Sequence, residues 1–234
     1  IGIKMKKLLI SAVFAIFSAS SAMSASLGDL NLSVGLSGNY AGFAGEGQER
    51  NFNESGALTQ VTEEYGAFTD SVGSIFVEVG LGDVVSIGVD YVPSEIATPE
   101  NRSREGTEGS SDTTDPDVSK VQVDFEDLTT VYLKVNLPIG GTYLKAGFHE
   151  TDVIVNESMA SGNTYANTST EGYSAGLGYN HSLDNGVSVR AEVLAMSFED
   201  VSANNGVATT GNHNKIEVDS MWGLRGSISL VKSF

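Results

Sequence analysis

Cysteine is absent from the 234-residue sequence. This absence excludes disulfide frameworks, thiolate catalysis, and zinc or iron–sulfur sites built on cysteine. Basic residues are scarce as well: 13 Lys and Arg stand against 30 Asp and Glu, which gives a formal net charge of −17. A free-standing nucleic-acid-binding protein needs the opposite balance, because its Lys and Arg neutralise backbone phosphates. Proline is rare, with 4 residues against 27 glycines, and this composition favours strands and turns over a proline-rich linker.

Long apolar runs are also few, and the clearest is LLISAVFAIF at residues 8–17. It is too short to cross a bilayer as a helix, which takes about 20 residues. Three lysines precede it and small residues follow it, the pattern of a secretory signal peptide that is cleaved, here after Ala22 or Ala25. The sequence therefore predicts an N-terminal extension and signal peptide over residues 1–25 and an exported domain over residues 26–234.

From residue 30 to the end, apolar residues alternate with polar or small ones, the period of a β-strand. Eight such runs can be recognised, and the connections between them are alternately long and short. Glycine, aspartate and asparagine in the short connections tolerate the positive φ of tight hairpins. The pattern predicts an all-β, eight-stranded, antiparallel up-and-down barrel with four long loops at one end and three short turns at the other. The long connections are expected at about 42–73, 93–120, 154–170 and 201–214, and the short ones at Gly82-Asp83, Pro138–Gly141 and Leu183–Gly186.

The face opposite the apolar one decides between two kinds of barrel. A soluble barrel encloses its apolar face, whereas a transmembrane barrel carries an apolar band on the outside. Here the opposite face is made of glycine, serine and asparagine with isolated charges, which suits a crowded interior better than a water-facing surface. Three acids and four bases nearly balance, as a closed lumen requires. The predicted lumen charges are Glu78, Asp90, Lys134, Lys145, Arg190, Glu192 and Arg225. We interpret them as an ion-pair network that fills the lumen; the alternative is a gap that conducts ions or small solutes.

Aromatic residues indicate where a membrane would begin and end. Trp222 and Phe234 lie on the same face of the last strand, twelve residues and hence about 40 Å apart. A strand of that length, tilted by about 40°, spans roughly 30 Å of membrane, close to the apolar band with its two aromatic girdles. We therefore expect Trp222 at the outer girdle and Phe234 at the periplasmic girdle, with Tyr40 and Tyr91 also at the outer one.

The last ten residues, RGSISLVKSF, carry a family resemblance. They end on Phe234, with Leu230, Ile228 and Gly226 at alternate positions before it. The chain resembles the small outer-membrane β-barrel proteins of Gram-negative bacteria, the broad OmpA-like, OmpX/opacity-type and OmpW-like superfamily, over the whole domain that follows the signal peptide. The resemblance implies that these four residues form the signal read by the barrel-assembly machinery, and that the protein lies in the outer membrane. Lys232 departs from the motif, and we expect its ammonium to reach water at the periplasmic interface.

The three histidines, His149, His181 and His213, are the candidates for catalysis. Some barrels of the family modify lipid A with a His beside a Ser or an acid, and such chemistry needs the nucleophile and base in hydrogen-bond contact on the membrane face. By strand alternation, His149 faces the barrel interior and not the membrane, and no Ser/His motif is evident. No catalytic residue is therefore predicted.

One acidic segment, within the second long connection, contains Asp112, Asp115 and Asp117. These carboxylates could ligate a hard cation such as calcium. Their spacing matches no calcium-binding loop, and an acidic segment rich in Ser, Thr and Gly is more typical of a solvated loop. We predict no metal site and no cofactor.

These observations predict a monomeric, non-enzymatic outer-membrane protein, a structural or surface-interaction scaffold with acidic extracellular loops and a plugged lumen. Its expected partners are outer-membrane lipid, the assembly machinery and an unidentified extracellular molecule, with no nucleic acid. The alternative is a porin-like or OmpW-like channel for small or hydrophobic solutes, and the third possibility is a lipid-modifying barrel enzyme.

Overall fold

A computed structural model describes residues 30–53, 55–104, 118–158, 164–204 and 213–234. The predicted signal peptide lies outside these ranges. In the described parts of the chain, no helix is long and apolar enough to cross a membrane. The strands are β1 (Leu30–Phe52), β2 (Leu58–Leu81), β3 (Val85–Tyr91), β4 (Ile96–Ala97), β5 (Asn101–Arg104), β6 (Val118–Asn136), β7 (Thr142–Ser158), β8 (Thr168–Ser182), β9 (Val187–Phe198), β10 (Val201–Asn204) and β11 (His213–Ser233). A 3-10 turn lies at Asp184–Gly186.

Eight of these strands form a closed ring. Their order is β1-β2-β3-β6-β7-β8-β9-β11, and β1 pairs with β11 to close it. Every neighbouring pair is antiparallel, and in the closing pair Tyr40 lies opposite Gly226. The short strands β4 and β5 pair with β6, and β10 pairs with β11. The predicted eight-stranded up-and-down barrel is confirmed.

The two faces of the barrel wall have the predicted parity. Leu36, Leu224 and Ile228 project outward and are exposed, whereas the neighbouring Ser33 and Ser229 are buried inside. Apolar side chains thus form the outer surface, and the charged and most other polar side chains of the wall face the interior, the inverse of a soluble barrel.

The short connections close one end of the barrel as expected. The link between β2 and β3 turns at Gly82, and the link between β8 and β9 turns at Asn185 and Gly186, all with positive φ (65°, 62° and 70°). Short turns mark the periplasmic end of an outer-membrane barrel, so the opposite end is extracellular.

The bounds predicted for the long connections need correction. β1 continues to Phe52 and β2 begins at Leu58, so most of the segment predicted as a loop at 42–73 is a hairpin. The other long connections differ less from the prediction: β6 begins at Val118, β7 ends at Ser158 and β11 begins at His213, while the short strands β4, β5 and β10 lie within the predicted connections. Backbone pairing needs no apolar face, so the ladder continues where apolar alternation has already stopped.

Candidate functional site: the barrel interior

All seven predicted lumen charges are buried inside the barrel. Glu78 on β2 is the centre of the first cluster. Arg190 on β9 donates from Nη1 to Oε2 at 2.8 Å and from Nη2 to Oε1 at 3.1 Å. Lys134 on β6 also donates to Oε1, and the Tyr132 hydroxyl donates to Oε2 at 3.2 Å. One carboxylate therefore holds two cations, and the cluster joins three strands across the lumen.

Glu192 forms the second cluster. Lys145 on β7 donates to its Oε2 at 3.0 Å, and the Tyr143 hydroxyl donates to its Oε1 at 2.6 Å. The Lys145 ammonium also lies 4.0 Å from the centroid of the Tyr132 ring, a favourable cation–π contact. Tyr132 belongs to the first cluster, so the two clusters form one continuous layer.

Asp90 and Arg225 form the third cluster, nearer the extracellular end. Arg225 Nη1 donates to Asp90 Oδ1 at 3.5 Å, the longest of the lumen ion pairs described here. The Ser74 hydroxyl lies 3.2 Å from Asp90 Oδ2, and the Asn39 amide donates to Ser74 Oγ at 3.1 Å. The Ser74 hydroxyl thus gives the buried carboxylate a hydrogen bond beside its long ion pair, and the Asn39 amide holds that hydroxyl in place.

Aromatic rings fill the space between these clusters. Three of them lie flat over an inward-facing glycine on the neighbouring strand, where a Cβ would come within 2.2–2.3 Å of a ring atom. The glycines therefore make room for rings that a larger residue would displace. The pairs, each directly opposite in register, are Gly35–Phe76, Gly88–Tyr132 and Gly178–Tyr143.

Toward the extracellular end the interior becomes apolar. The inward residues of β9 show the change in order: Arg190, Glu192, Leu194, Met196 and Phe198. A buried cluster fills this upper part, with Phe43 and Phe68 stacked at 5.3 Å between ring centroids. Its core residues are Ala41, Phe43, Val92, Ile96, Leu128 and Met196.

This apolar cluster was missed by sequence reasoning. Phe43, Ile96 and Phe68 lie in segments predicted as loops, where strand alternation gives no expectation for the direction of a side chain. Strand alternation could have predicted the aromatic rings among the ion pairs, because Phe76 and Tyr132 lie on the same strand faces as the lumen charges.

The three histidines lie in separate parts of the barrel. His149 is fully buried on β7, with its ring 4.6 Å from that of Phe198. His181 is exposed near the periplasmic end of β8, and His213 begins β11. That the chain is not an enzyme stays a prediction.

The acidic candidates Asp112, Asp115 and Asp117 fall outside the described residues. Within the described ranges, no group of three or more His, Asp and Glu could hold a metal ion. The absence of a metal therefore also stays a prediction.

The predicted girdle residues Tyr40, Trp222 and Phe234 are exposed on the outer surface. Tyr91 is half-buried, and its hydroxyl donates to Asp127 Oδ1 at 2.6 Å. Tyr173, which was not predicted, is exposed as well. The girdle assignment stays a prediction.

The residues of the predicted assembly signal lie on the last strand and its end. Ile228 and Leu230 face outward from β11, opposite Gly38 and Leu36 of β1, while Gly226 is half-buried. Lys232 also faces outward, and its ammonium donates to the Asn185 carbonyl in the periplasmic turn. It reaches a polar partner at the end of the barrel, as a lysine in this position requires. The role of these residues in assembly stays a prediction.

Comparison with known proteins agrees with this architecture. OprG from Pseudomonas aeruginosa, an outer membrane protein, is 13% identical, with a TM-score of 0.56 over 86% of this chain and 95% of that chain. The outer membrane protease OmpT from Escherichia coli is 10% identical, with a TM-score of 0.44 over 89% and 98% of the two chains. At these identities the likeness to OprG shows the fold alone, and OmpT is too distant to inform on function. No curated protein matches the chain in sequence.

The family comparison covers most of the chain. Residues 9–221 match the family described as outer membrane protein beta-barrel domain. This family implies the outer membrane of a Gram-negative bacterium as the location. The chain belongs to the outer-membrane β-barrel family.

Proposed function

We propose that this protein is a non-enzymatic outer-membrane scaffold: its lumen is sealed, and its extracellular strands present a surface to partners. The observation that carries the proposal is the cluster of Glu78, Lys134 and Arg190. β2 and β9 are three strands apart in the ring, so Glu78 and Arg190 can meet only across the lumen.

Two stacked barriers support a sealed lumen. The lower one consists of ion pairs whose charged groups are held by hydrogen bonds, and an eight-stranded barrel is just wide enough for such side chains to fill. The upper one is the apolar cluster around Phe43 and Phe68, and an apolar constriction excludes water and ions. The cavity among Phe43, Ile96 and Phe125 is only about 10 Å³.

Planar-bilayer recordings test the sealed lumen. The purified protein is expected to show no steady conductance. Glu78→Gln weakens the lower barrier, whereas Glu171→Gln, at an exposed acid near the extracellular end of β8, is the matched control. Reproducible conductance of the unaltered protein that changes with Glu78→Gln and not with Glu171→Gln would overturn the proposal.

A passage for hydrophobic solutes is the second candidate, and one observation favours it. A cavity of about 80 Å³ in the extracellular part lies between β6, β7, β10 and β11, with Val121, Val153, Tyr165 and Ile216 in its lining. The ion-paired layer lies below it, so an apolar solute would have to leave through the barrel wall. Uptake of an apolar dye into vesicles, reduced by Ala203→Phe in the lining, would favour this function over the scaffold.

A further inference from the structure

The extracellular part of β2 has one unpaired edge among the described residues. From Ile75 to Leu81, β2 pairs with β1 on one side and β3 on the other. From Leu58 at the extracellular end down to Ser74, its backbone pairs with β1 alone among the described residues. Near its middle, the Ala97 N–H donates to Asp70 Oδ2 at 3.2 Å, where β4 approaches. With respect to the described part of the chain, the free edge therefore runs over the twelve residues Leu58–Thr69.

This edge has the features of a template for strand pairing. Alternate residues of an edge strand point their N–H and C=O groups away from the sheet, ready for another strand. Most side chains along it are open to solvent, with Leu58, Val61 and Tyr65 exposed by 52%, 44% and 80%, whereas Phe68 packs into the interior cluster. No proline or lysine, residues that commonly block edge pairing, occurs from Leu58 to Thr69.

The charge around the edge selects the partner. Residues 46–70 contain six acids and one arginine, Arg50. Glu63 and Glu64 are adjacent on the free strand, so their side chains leave on opposite faces. An incoming strand with Lys or Arg would place a cation near a carboxylate on either face. A second copy of this chain would bring the same acids into repulsion.

We propose that the edge Leu58–Thr69 binds an extended basic peptide segment of an extracellular protein by β-strand addition. This inference rests on the proposed scaffold function and names its class of partner. Main-chain hydrogen bonds to the edge supply the affinity, and the acids at 63 and 64 supply the preference for basic sequences.

The test uses the full-length protein in lipid nanodiscs and a labelled twelve-residue peptide of alternating Thr and Lys. We expect saturable binding, together with slower hydrogen exchange of the amides at 58–69. The same peptide, N-methylated at alternate residues, keeps its charge but loses its donors; several lost hydrogen bonds are expected to weaken binding by about tenfold or more. A Thr–Glu peptide of the same length is expected not to bind.

Two protein variants distinguish binding at the edge from attraction of the peptide by the overall negative charge of the protein. Glu63→Lys with Glu64→Lys is expected to weaken binding of the Thr–Lys peptide by about tenfold, the effect of reversing two exposed charges. Glu171→Lys with Glu199→Lys changes two exposed acids on the opposite side of the barrel and is expected to leave binding unchanged. Heat-modifiable gel migration confirms that both variants are folded.

Three results would overturn the inference. The first is that the N-methylated peptide binds as tightly as the unmodified one. The second is that the peptide slows hydrogen exchange at residues outside 58–69, and the third is that exchange at 58–69 is slowed without peptide, at concentrations where the protein self-associates. The bilayer recordings are independent of these outcomes. If the barrel conducts ions but still binds the peptide, only the proposal of a sealed lumen is contradicted. If the barrel shows no conductance and does not bind the peptide, only the proposal of strand addition at the edge is contradicted.

Discussion

In the barrel interior, two guanidinium nitrogens of Arg190 donate to the two carboxylate oxygens of Glu78, although the residues lie 112 positions apart in the chain. Such paired contacts between guanidinium and carboxylate are stronger and more directional than a single ion contact. Both groups are buried, so each depends on the other for the stabilisation that water would otherwise supply.

Glu78→Gln is expected to lower the free energy of unfolding by about 3–5 kcal/mol, because the cations of Lys134 and Arg190 then share no carboxylate. Urea unfolding in lipid vesicles, followed by tryptophan fluorescence, measures the change. The control Glu171→Gln alters an exposed acid and is expected to change stability by less than about 0.5 kcal/mol. Equal effects of the two substitutions would contradict a structural role for the ion pair.

Tyr143→Phe removes the hydroxyl that donates to Glu192 at 2.6 Å and leaves the ring in place. The loss of one buried hydrogen bond to a charged group is expected to cost about 1–3 kcal/mol of unfolding free energy. Tyr179→Phe is the matched control, since Tyr179 faces outward and is half exposed. If both variants unfold at the same urea concentration, the Tyr143 hydroxyl contributes nothing.

Gly88→Ala is expected to destabilise the barrel by about 1–3 kcal/mol, because the added methyl group overpacks the site. Its Cβ would lie 2.3 Å from an atom of the Tyr132 ring, which holds Glu78 through its hydroxyl. Gly38→Ala adds the same methyl where no atom lies within 4 Å. Thermal unfolding in detergent compares the two, and the prediction is wrong if Gly38→Ala is the more damaging.

A pH effect is expected in the extracellular hairpin of β10 and β11. The hydrogen bond from the Lys215 ammonium holds the pKa of Glu217 below its ordinary value despite partial desolvation, and Arg50 Nε at 3.2 Å adds to this effect. A carboxyl with a lowered folded pKa contributes stability above its unfolded pKa, about 4.3, and loses that contribution as pH falls through the folded value.

NMR titration of the Glu217 carboxyl measures this shift directly. Lys215→Met is expected to raise the Glu217 pKa. In the unaltered protein, the protection factors of the amides of β10 and β11, which correct for the intrinsic pH dependence of exchange, are expected to decrease as the pH falls below about 4. A Glu217 pKa that is the same in the variant would show that the ammonium does not stabilise the carboxylate.

The sequence predicted the face of each lumen charge but not its partner. Period-2 alternation places Arg190 and Glu192 inside, because two residues on one strand with the same parity share a face. It does not say at what height they lie relative to other strands, since that depends on the stagger of the closed ring. The pairing of Glu78 with Arg190 rather than Arg225 therefore had to come from the structure.

The apolar upper interior escaped prediction for a different reason. Phe43 follows glycine and alanine, and Val92 and Ile96 flank a proline, so the local sequence has the composition of a connection. The pairing of β1 with both β2 and β11 shows that Phe43 still lies in a strand, and its burial shows that it faces inward. Outside the membrane, alternation of apolar residues no longer marks the strand, and its bounds cannot be found from that pattern.

The ion-paired layer also bears on the stability of a barrel that is not yet closed. Glu78, Lys134 and Arg190 belong to strands that are adjacent in neither the chain nor the ring. A sheet lacking β9 would hold Glu78 beside Lys134 alone and would leave Lys145 without Glu192, its counter-ion. Because bare charges are costly away from water, partly closed forms are penalised and the complete ring is favoured. The ion pairs therefore couple closure of the ring to the burial of its inward charges.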